Sequence, residues 1–307
     1  MTGLSGARAG AADGTADGTD PAGWGLREVS VWHDNRLALD RVSLFAAVSQ
    51  VTAVVGGDGA GKTTVLRCLA GAQAAGSGQI SRPDTRRIGY LPASSGVYPD
   101  LTVGENLAFR AAAYGLTAAQ ARDQAAEYLD RAGLTAARDR LAGQLSGGMR
   151  QKLGVIAAMM HRPQLLVLDE PGTGVDPVSR SDLWWLIARA AADGSAVVLA
   201  TSYLDEAERA ALVLALDAGR ELATGTPDEI VAAIPGALRA VAERPTGAAA
   251  RRAWRRGGRW RVWEPPGAVA ARPADGGAAG AAIRPDLQDA VTIAALAREL
   301  RLARSAS

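Results

Sequence analysis

The run Gly56-Gly57-Asp58-Gly59-Ala60-Gly61-Lys62-Thr63-Thr64 brings together the groups that a polyphosphate needs. Its glycines let backbone N–H groups converge on phosphate oxygens at a helix N-terminus. Lys62 supplies a point charge for the outer phosphates, and Thr63 offers a hydroxyl to Mg2+. The spacing fits G-x-x-x-x-G-K-[ST], a pattern that requires a strand before it and a helix after it. Further along, Leu165-Leu166-Val167-Leu168-Asp169-Glu170-Pro171 delivers two carboxylates to the carboxyl end of a buried strand, where an open α/β sheet binds its ligand. Asp169 would hold Mg2+ through water, and Glu170 would act as general base on an attacking water. A strand end merely turning into solvent is the plainer reading, and it loses force beside the phosphate loop.

The elements that must position these groups follow from the periodicity. "LREVSVWH" and "RVSLFAAVSQVTAVVGG" alternate like strands, the second ending in an apolar run that stops at glycine, and "GKTTVLRCLAGAQ" reads as a helix. Alanine-rich helical segments follow, "TVGENLAFRAAAYGL" and "TAAQARDQAAEYLDRAGL", the latter capped by Thr117. They suggest a helical subdomain over about 97–150. "LLVLDE" and "AVVLATS" are continuous apolar runs of the kind buried on both faces of a parallel sheet, separated by the helical "SRSDLWWLIARAAADG". Trp184 and Trp185 in that helix are expected to pack rather than to stack on a ligand. The predicted fold is therefore α/β, with a nucleotide-binding domain over 24–235. Residues 1–23 hold almost nothing to bury and are expected to form a disordered tail. Residues 236–307 should form a small α+β domain, with a strand pair in "ALRAVAE" and "RWRVWEP", a flexible insert near "ARPADGGAAGAA" and a terminal helix.

Composition narrows the function classes. The 307 residues are 48% hydrophobic, ample for a core, and the net charge of +2 gives no broad footprint for nucleic acid. A local run of Arg251, Arg252, Arg255, Arg256, Arg259 and Arg261 is expected to be a solvated face. The single Cys68 is expected to be a small buried apolar residue. His161 reads as a helix-end cation or loop residue. No secretory signal and no apolar run of about 18 residues occur, so a cytoplasmic chain is expected, with any membrane role coming through a partner. Only two lysines, Lys62 and Lys152, stand among 34 basic residues. Arginine has filled nearly every cationic position, which gives weight to the compact ammonium at 62.

The segment "LSGGMRQKL", Leu145 to Leu153, resembles the signature motif of ATP-binding-cassette (ABC) ATPases. The order of phosphate loop, helical insert, signature, "LLVLDEP" and "TGVD" supports that resemblance over about residues 26–230. It implies ATP and Mg2+ as ligands, and a second cassette paired head to tail. Ser146, Gly147 and Gly148 of one cassette would bind the γ-phosphate held by the other, and Asp176 would cross the interface. Trp32, or His33 beside it, would stack on adenine. The further likeness of "YPDLTVGENL", "MRQKLG" and "PDLQDAV" is to ATPase subunits of bacterial exporters with separate permease chains. That implies a permease partner, met around Ala93 to Pro99, and a peripheral place on the inner face of the membrane.

Two positions depart from the family. Where it has a glutamine touching Mg2+ and the attacking water, this chain has Ala93; where it has a histidine that bonds the γ-phosphate, this chain has Ser202. Losing one such donor typically costs about 10²- to 10³-fold in rate. An impaired own site, paired with a working site on a different cassette, is the expectation. Gly172 replaces a common hydroxyl residue and is expected to loosen its loop. Rival readings are a regulatory cassette that binds ATP without turnover and a soluble mechanoenzyme acting on ribosomes or DNA. Near-neutral charge and the single cassette weigh against the latter.

Overall fold

A computed structural model describes residues 22–267 and 280–305. The expected N-terminal tail and flexible insert lie almost wholly outside the described residues. Strands β1 (Gly23–His33) and β2 (Arg36–Ala47) form an antiparallel pair, β3 (Val51–Gly56) leads into α1 (Lys62–Ala70), and β4 (Ser77–Ser81) pairs with the free side of β1. The stretch read as one strand over 41–57 is thus two strands. Ser49, at φ 62°, turns the chain between them, so β2 joins a three-stranded antiparallel sheet and β3 a separate parallel one.

That second sheet contains β5 (Ile88–Leu91), β6 (Leu165–Asp169), β7 (Ala196–Thr201), β8 (Leu212–Asp217) and β9 (Arg220–Gly225). Its order is β5-β6-β7-β3-β8-β9, parallel except for β9, which folds back on β8. Every residue of β6 and β7 is buried, as their unbroken apolar runs require. Alternation sends neighbouring side chains to opposite cores. Val55, Leu166, Leu168 and Leu199 join the core on the side of the longer helices. Val54, Leu165 and Val167 pack with α1 and the antiparallel sheet.

Between β5 and β6 run α2 (Val103–Ala113), α3 (Ala118–Arg131) and α4 (Gly147–Met159). Thr102 with Glu105, and Thr117 with Gln120, close reciprocal capping boxes that satisfy orphan N–H groups at two of these helices. Helix α5 (Pro177–Ala192) starts with Pro177 at a first-turn position, where the missing N–H costs nothing. It buries Trp184 against the main core. Short helices α6 (Leu204–Ala207) and α7 (Pro227–Ala232) follow β7 and β9.

Beyond them, β10 (Ala237–Val241), α8 (Gly247–Ala250), β11 (Ala253–Arg256), β12 (Arg259–Glu264), β13 (Ala281–Ala282) and α9 (Leu287–Ser305) form an α+β unit. Leu238, Trp263, Ile293 and Ala297 are its core. The expected pairing of β10 with β12 is present, and it is antiparallel. The arginine run is not wholly solvated: Arg256 donates to Asp286 at 2.6 Å, and Arg261 pairs with the fully buried Asp289. His161 takes the loop half of its expectation, in the turn after α4. It stacks face to face on Tyr114, 3.5 Å between ring centroids, and burial pushes its pKa down to about 4. Cys68 is buried, with its thiol pushed up to about 11. Among the described residues no helix is long and apolar enough to cross a membrane.

Candidate active site

The carboxyl end of β3 opens into a cleft of about 610 Å3. One wall is the loop Gly57–Gly61 with the first residues of α1; Asp169 and Glu170 come from the end of β6, and Ala93 from beyond β5. Helix α1 has no side-chain cap. Its first N–H groups are therefore left for a ligand, and an anion suits them. Gly61, at φ 106°, must be glycine on two counts: the left-handed backbone disfavours a side chain, and a Cβ would overlap Leu39.

Lys62 is nearly buried, its side chain 8% exposed. Its ammonium donates to the carbonyls of Gly56 at 2.8 Å and Gly57 at 3.3 Å and to Ser202 Oγ at 3.2 Å, and it lies 3.3 Å from Glu170 Oε1. Thr63 Oγ1 donates to Asp169 Oδ1 at 3.3 Å. Burial raises the Asp169 pKa, the Thr63 hydrogen bond opposes that, and the neighbouring Glu170 charge adds to it. This hard-oxygen pair, with its desolvated carboxylate, fits Mg2+, which keeps several waters and takes few protein ligands.

Glu170 has φ 50°, an uncommon backbone for a residue with a side chain, and its N–H donates to Ala200 O at 3.0 Å. Oε1 accepts from Ser202 Oγ at 2.7 Å; Oε2 accepts from the Ser202 N–H at 3.1 Å and from Thr173 Oγ1 at 3.2 Å. The sequence reading takes Thr173 only as the start of the "TGVD" loop; its hydroxyl contact with Glu170, three residues back across a turn, is what that reading does not foresee. The loop is also tight rather than loosened by Gly172. Thr173 N–H donates to Glu170 O at 3.1 Å and Val175 N–H to Gly172 O at 3.2 Å.

The other expected residues divide. His33 lines the cleft, whereas Trp32 is half exposed with its ring against Gly76 and does not line it. Of the two expected aromatic positions, His33 is the one that borders the cleft in this structure. Ser146, Gly147 and Gly148 open α4 outside the cleft, with Ser146 Oγ accepting from Met149 N–H at 3.2 Å. Asp176 caps α5, its Oδ1 accepting from Val178 and Ser179 N–H at 3.0 Å each, and those bonds hold its carboxyl below the usual range.

A mainly parallel sheet with a glycine loop at the end of a central strand, a buried lysine opening the helix after that loop and an Asp-Glu pair at the end of another strand of the same sheet define an α/β nucleotide-binding protein. The comparisons narrow the class. The family described as ABC transporter matches residues 39–173. The Escherichia coli (strain K12) "Probable multidrug ABC transporter ATP-binding protein YbhF" is 41% identical over 196 residues, covering 61% of this chain and 34% of that protein. The Burkholderia pseudomallei (strain 1710b) "Nod factor export ATP-binding protein I" is 35% identical over 219 residues, covering 68% and 72%. A solved "ATP binding subunit of ABC transporter" superposes with a TM-score of 0.64 at 27% identity, covering 68% of this chain and 92% of its own. The chain belongs to the ABC transporter family, and it spans about a third of the length of the first of these relatives.

Proposed function

We propose that this chain binds MgATP in the cleft and hydrolyses it as the energising subunit of an exporter whose permease is a separate chain. The observation that carries the reading is the convergence of Lys62, Thr63, Asp169 and Glu170 at the end of the parallel sheet. The loop N–H groups and Lys62 bind the outer phosphates, and His33 packs on the base. Thr63 and Asp169 hold Mg2+, which when bound offsets charge on those phosphates. Glu170 accepts the proton of a water whose oxygen attacks the γ-phosphorus. The bond from that phosphorus to the bridging oxygen breaks, and ADP leaves with the electron pair.

The cleft lacks two polar contacts. Ala93 reaches it with a methyl group only, and Ser202 is turned onto Glu170 and Lys62. Its own turnover is therefore slow. Ser146 to Gly148 and Asp176 lie outside the cleft and serve a second cassette, a different chain with both polar residues in place. The permease meets the surface from Ala93 to Pro99, where Tyr98 and Phe109, each about half exposed, pack edge to face at 5.1 Å. Residues 24–235 act as the cassette and 236–307 as an accessory unit. On this reading the chain is cytoplasmic and held at the membrane by the permease.

Phosphate release by the purified chain, alone and with a cognate second cassette, tests this. Slow turnover alone that rises on mixing is expected, and fast turnover alone that vanishes in Lys62→Ala would sink the impaired-site reading. Two observations favour a second reading, a regulatory cassette without turnover: Lys62 already has a carboxylate partner, and position 93 carries no polar side-chain atom. Binding of a fluorescent ATP analogue with no phosphate release would establish that alternative.

A further inference from the structure

We infer that Ser202, with Thr173, is a positioning residue that clasps Glu170, and that the Lys62 ammonium shields this base as an ion pair until phosphate draws it away. The inference deepens the proposed function and rests on Glu170 being the base.

An ionised carboxylate offers about four acceptor positions, two on each oxygen. Glu170 has three of them hydrogen-bonded, and the Lys62 ammonium lies in ion-pair contact beside the fourth. Oε2 takes the Ser202 N–H at 3.1 Å and the Thr173 hydroxyl at 3.2 Å. Oε1 takes the Ser202 hydroxyl at 2.7 Å and faces the Lys62 ammonium at 3.3 Å. The three Lys62 protons go to Gly56 O, Gly57 O and Ser202 Oγ, so the ammonium shields the second position of Oε1 by its charge and bulk. Three of the four partners come from short hydroxyl residues or backbone on the loops flanking the strands, and these stay when a ligand arrives. The fourth is a four-carbon ammonium whose carbonyl partners, Gly56 and Gly57, belong to the phosphate loop itself. When it turns to a bound phosphate, it unshields the second position of Oε1, and a water proton can take that position.

The direction of the hydrogen bonds matters. Ser202 accepts from Lys62 at 3.2 Å and donates its own proton to Glu170, so the hydroxyl is held in one orientation by both neighbours. After Lys62 leaves, Ser202 and Thr173 still fix the carboxylate plane. A hydroxyl at 202 cannot report on the γ-phosphate while it is held this way. It gives the base a fixed aim instead, through two bonds from one residue, and this role differs from direct phosphate contact.

The test is steady-state turnover of the full chain and its variants, with ATP binding measured in parallel. Ser202→Ala should lower kcat by about ten- to hundredfold, the scale of one hydrogen bond to a charged acceptor, with KM and ATP affinity changed by less than about threefold. Ser202→Thr, which keeps the hydroxyl, should restore kcat to within about threefold of the parent, and Thr173→Val should lower it by a smaller factor. Glu170→Gln separates the two layers. Turnover lost in Glu170→Gln but untouched in Ser202→Ala would overturn the clasp alone. Turnover of the parent no higher than that of Glu170→Gln would overturn the base assignment and the clasp with it. An equal loss in Ser202→Thr and Ser202→Ala would show that shape, not the hydroxyl, is what position 202 supplies, and would also overturn the clasp.

Discussion

The Glu206 carboxylate rests against the bare Cα of Gly172: a Cβ at that glycine would overlap Oε1. Glu206 is 2% exposed, Oε2 accepts from Thr201 Oγ1 at 2.6 Å, and Oε1 lies 3.6 Å from Arg180 Nε. One buried acid thus joins the loop after β6, the start of α5 and the end of β7. The loss of a side chain at 172 is matched by a carboxylate that fills the space.

Gly172→Ala is accordingly an overpacking change. It should lower stability by about 1–3 kcal/mol, read as a lower urea midpoint with an unchanged slope. An unchanged midpoint would mean that Glu206 yields freely.

Burial raises the Glu206 pKa above its ordinary 4.5, with Thr201 and Arg180 opposing. The folded chain therefore holds this proton more tightly than the unfolded one. Its contribution to stability is full below the ordinary carboxyl range and is lost as pH rises through the folded value. Asp169 shifts the same way. Unfolding free energy measured from about pH 4.5 to 7 should fall less steeply in Glu206→Gln than in the parent. Equal slopes would remove Glu206 from the account.

His33 at the cleft and Trp32 against Gly76 make a paired test. His33→Ala should weaken ATP binding about fivefold, near 1 kcal/mol for a stacked ring, while Trp32→Ala changes it less than twofold. Titration with a fluorescent ATP analogue distinguishes the two, and the reverse order would restore the adenine contact to position 32.

Ala93 lines the cleft with a methyl group. Ala93→Gln, with Ser202 left in place, should raise phosphate release at least about tenfold by supplying a polar contact to the attacking water. No gain would place the deficit elsewhere.

Much of this was legible in the sequence where one local rule decided the outcome. The apolar run Leu165–Leu168 had to be a buried strand, the Thr117 cap had to start a helix, and Gly56 to Thr63 had to turn from strand to helix. The misses share a different cause. Ser49 breaks a strand with neither glycine nor proline to mark it. Adjacent strand residues point to opposite faces, and irregular register around Val31 and Trp32 decides which of 32 and 33 meets the cleft. β11 is half arginine, and only the acids before and within α9 explain why Arg256 can lie on a sheet. Ser202 and Glu170 are 32 residues apart, so their contact belongs to the pairing of β6 with β7 and not to any local pattern.

The arginine bias has a chemical consequence. Both lysines of the sequence are buried and ion-paired, Lys62 with Glu170 and Lys152 with Asp182. To an amine-directed reagent the folded chain is nearly blank, its lysine side chains both shielded. Acylation of the folded chain at Lys62 therefore reports release from Glu170, Ser202 and the Gly56 and Gly57 carbonyls together, and a mass shift on one tryptic segment becomes a gauge of how often the phosphate loop releases its ammonium.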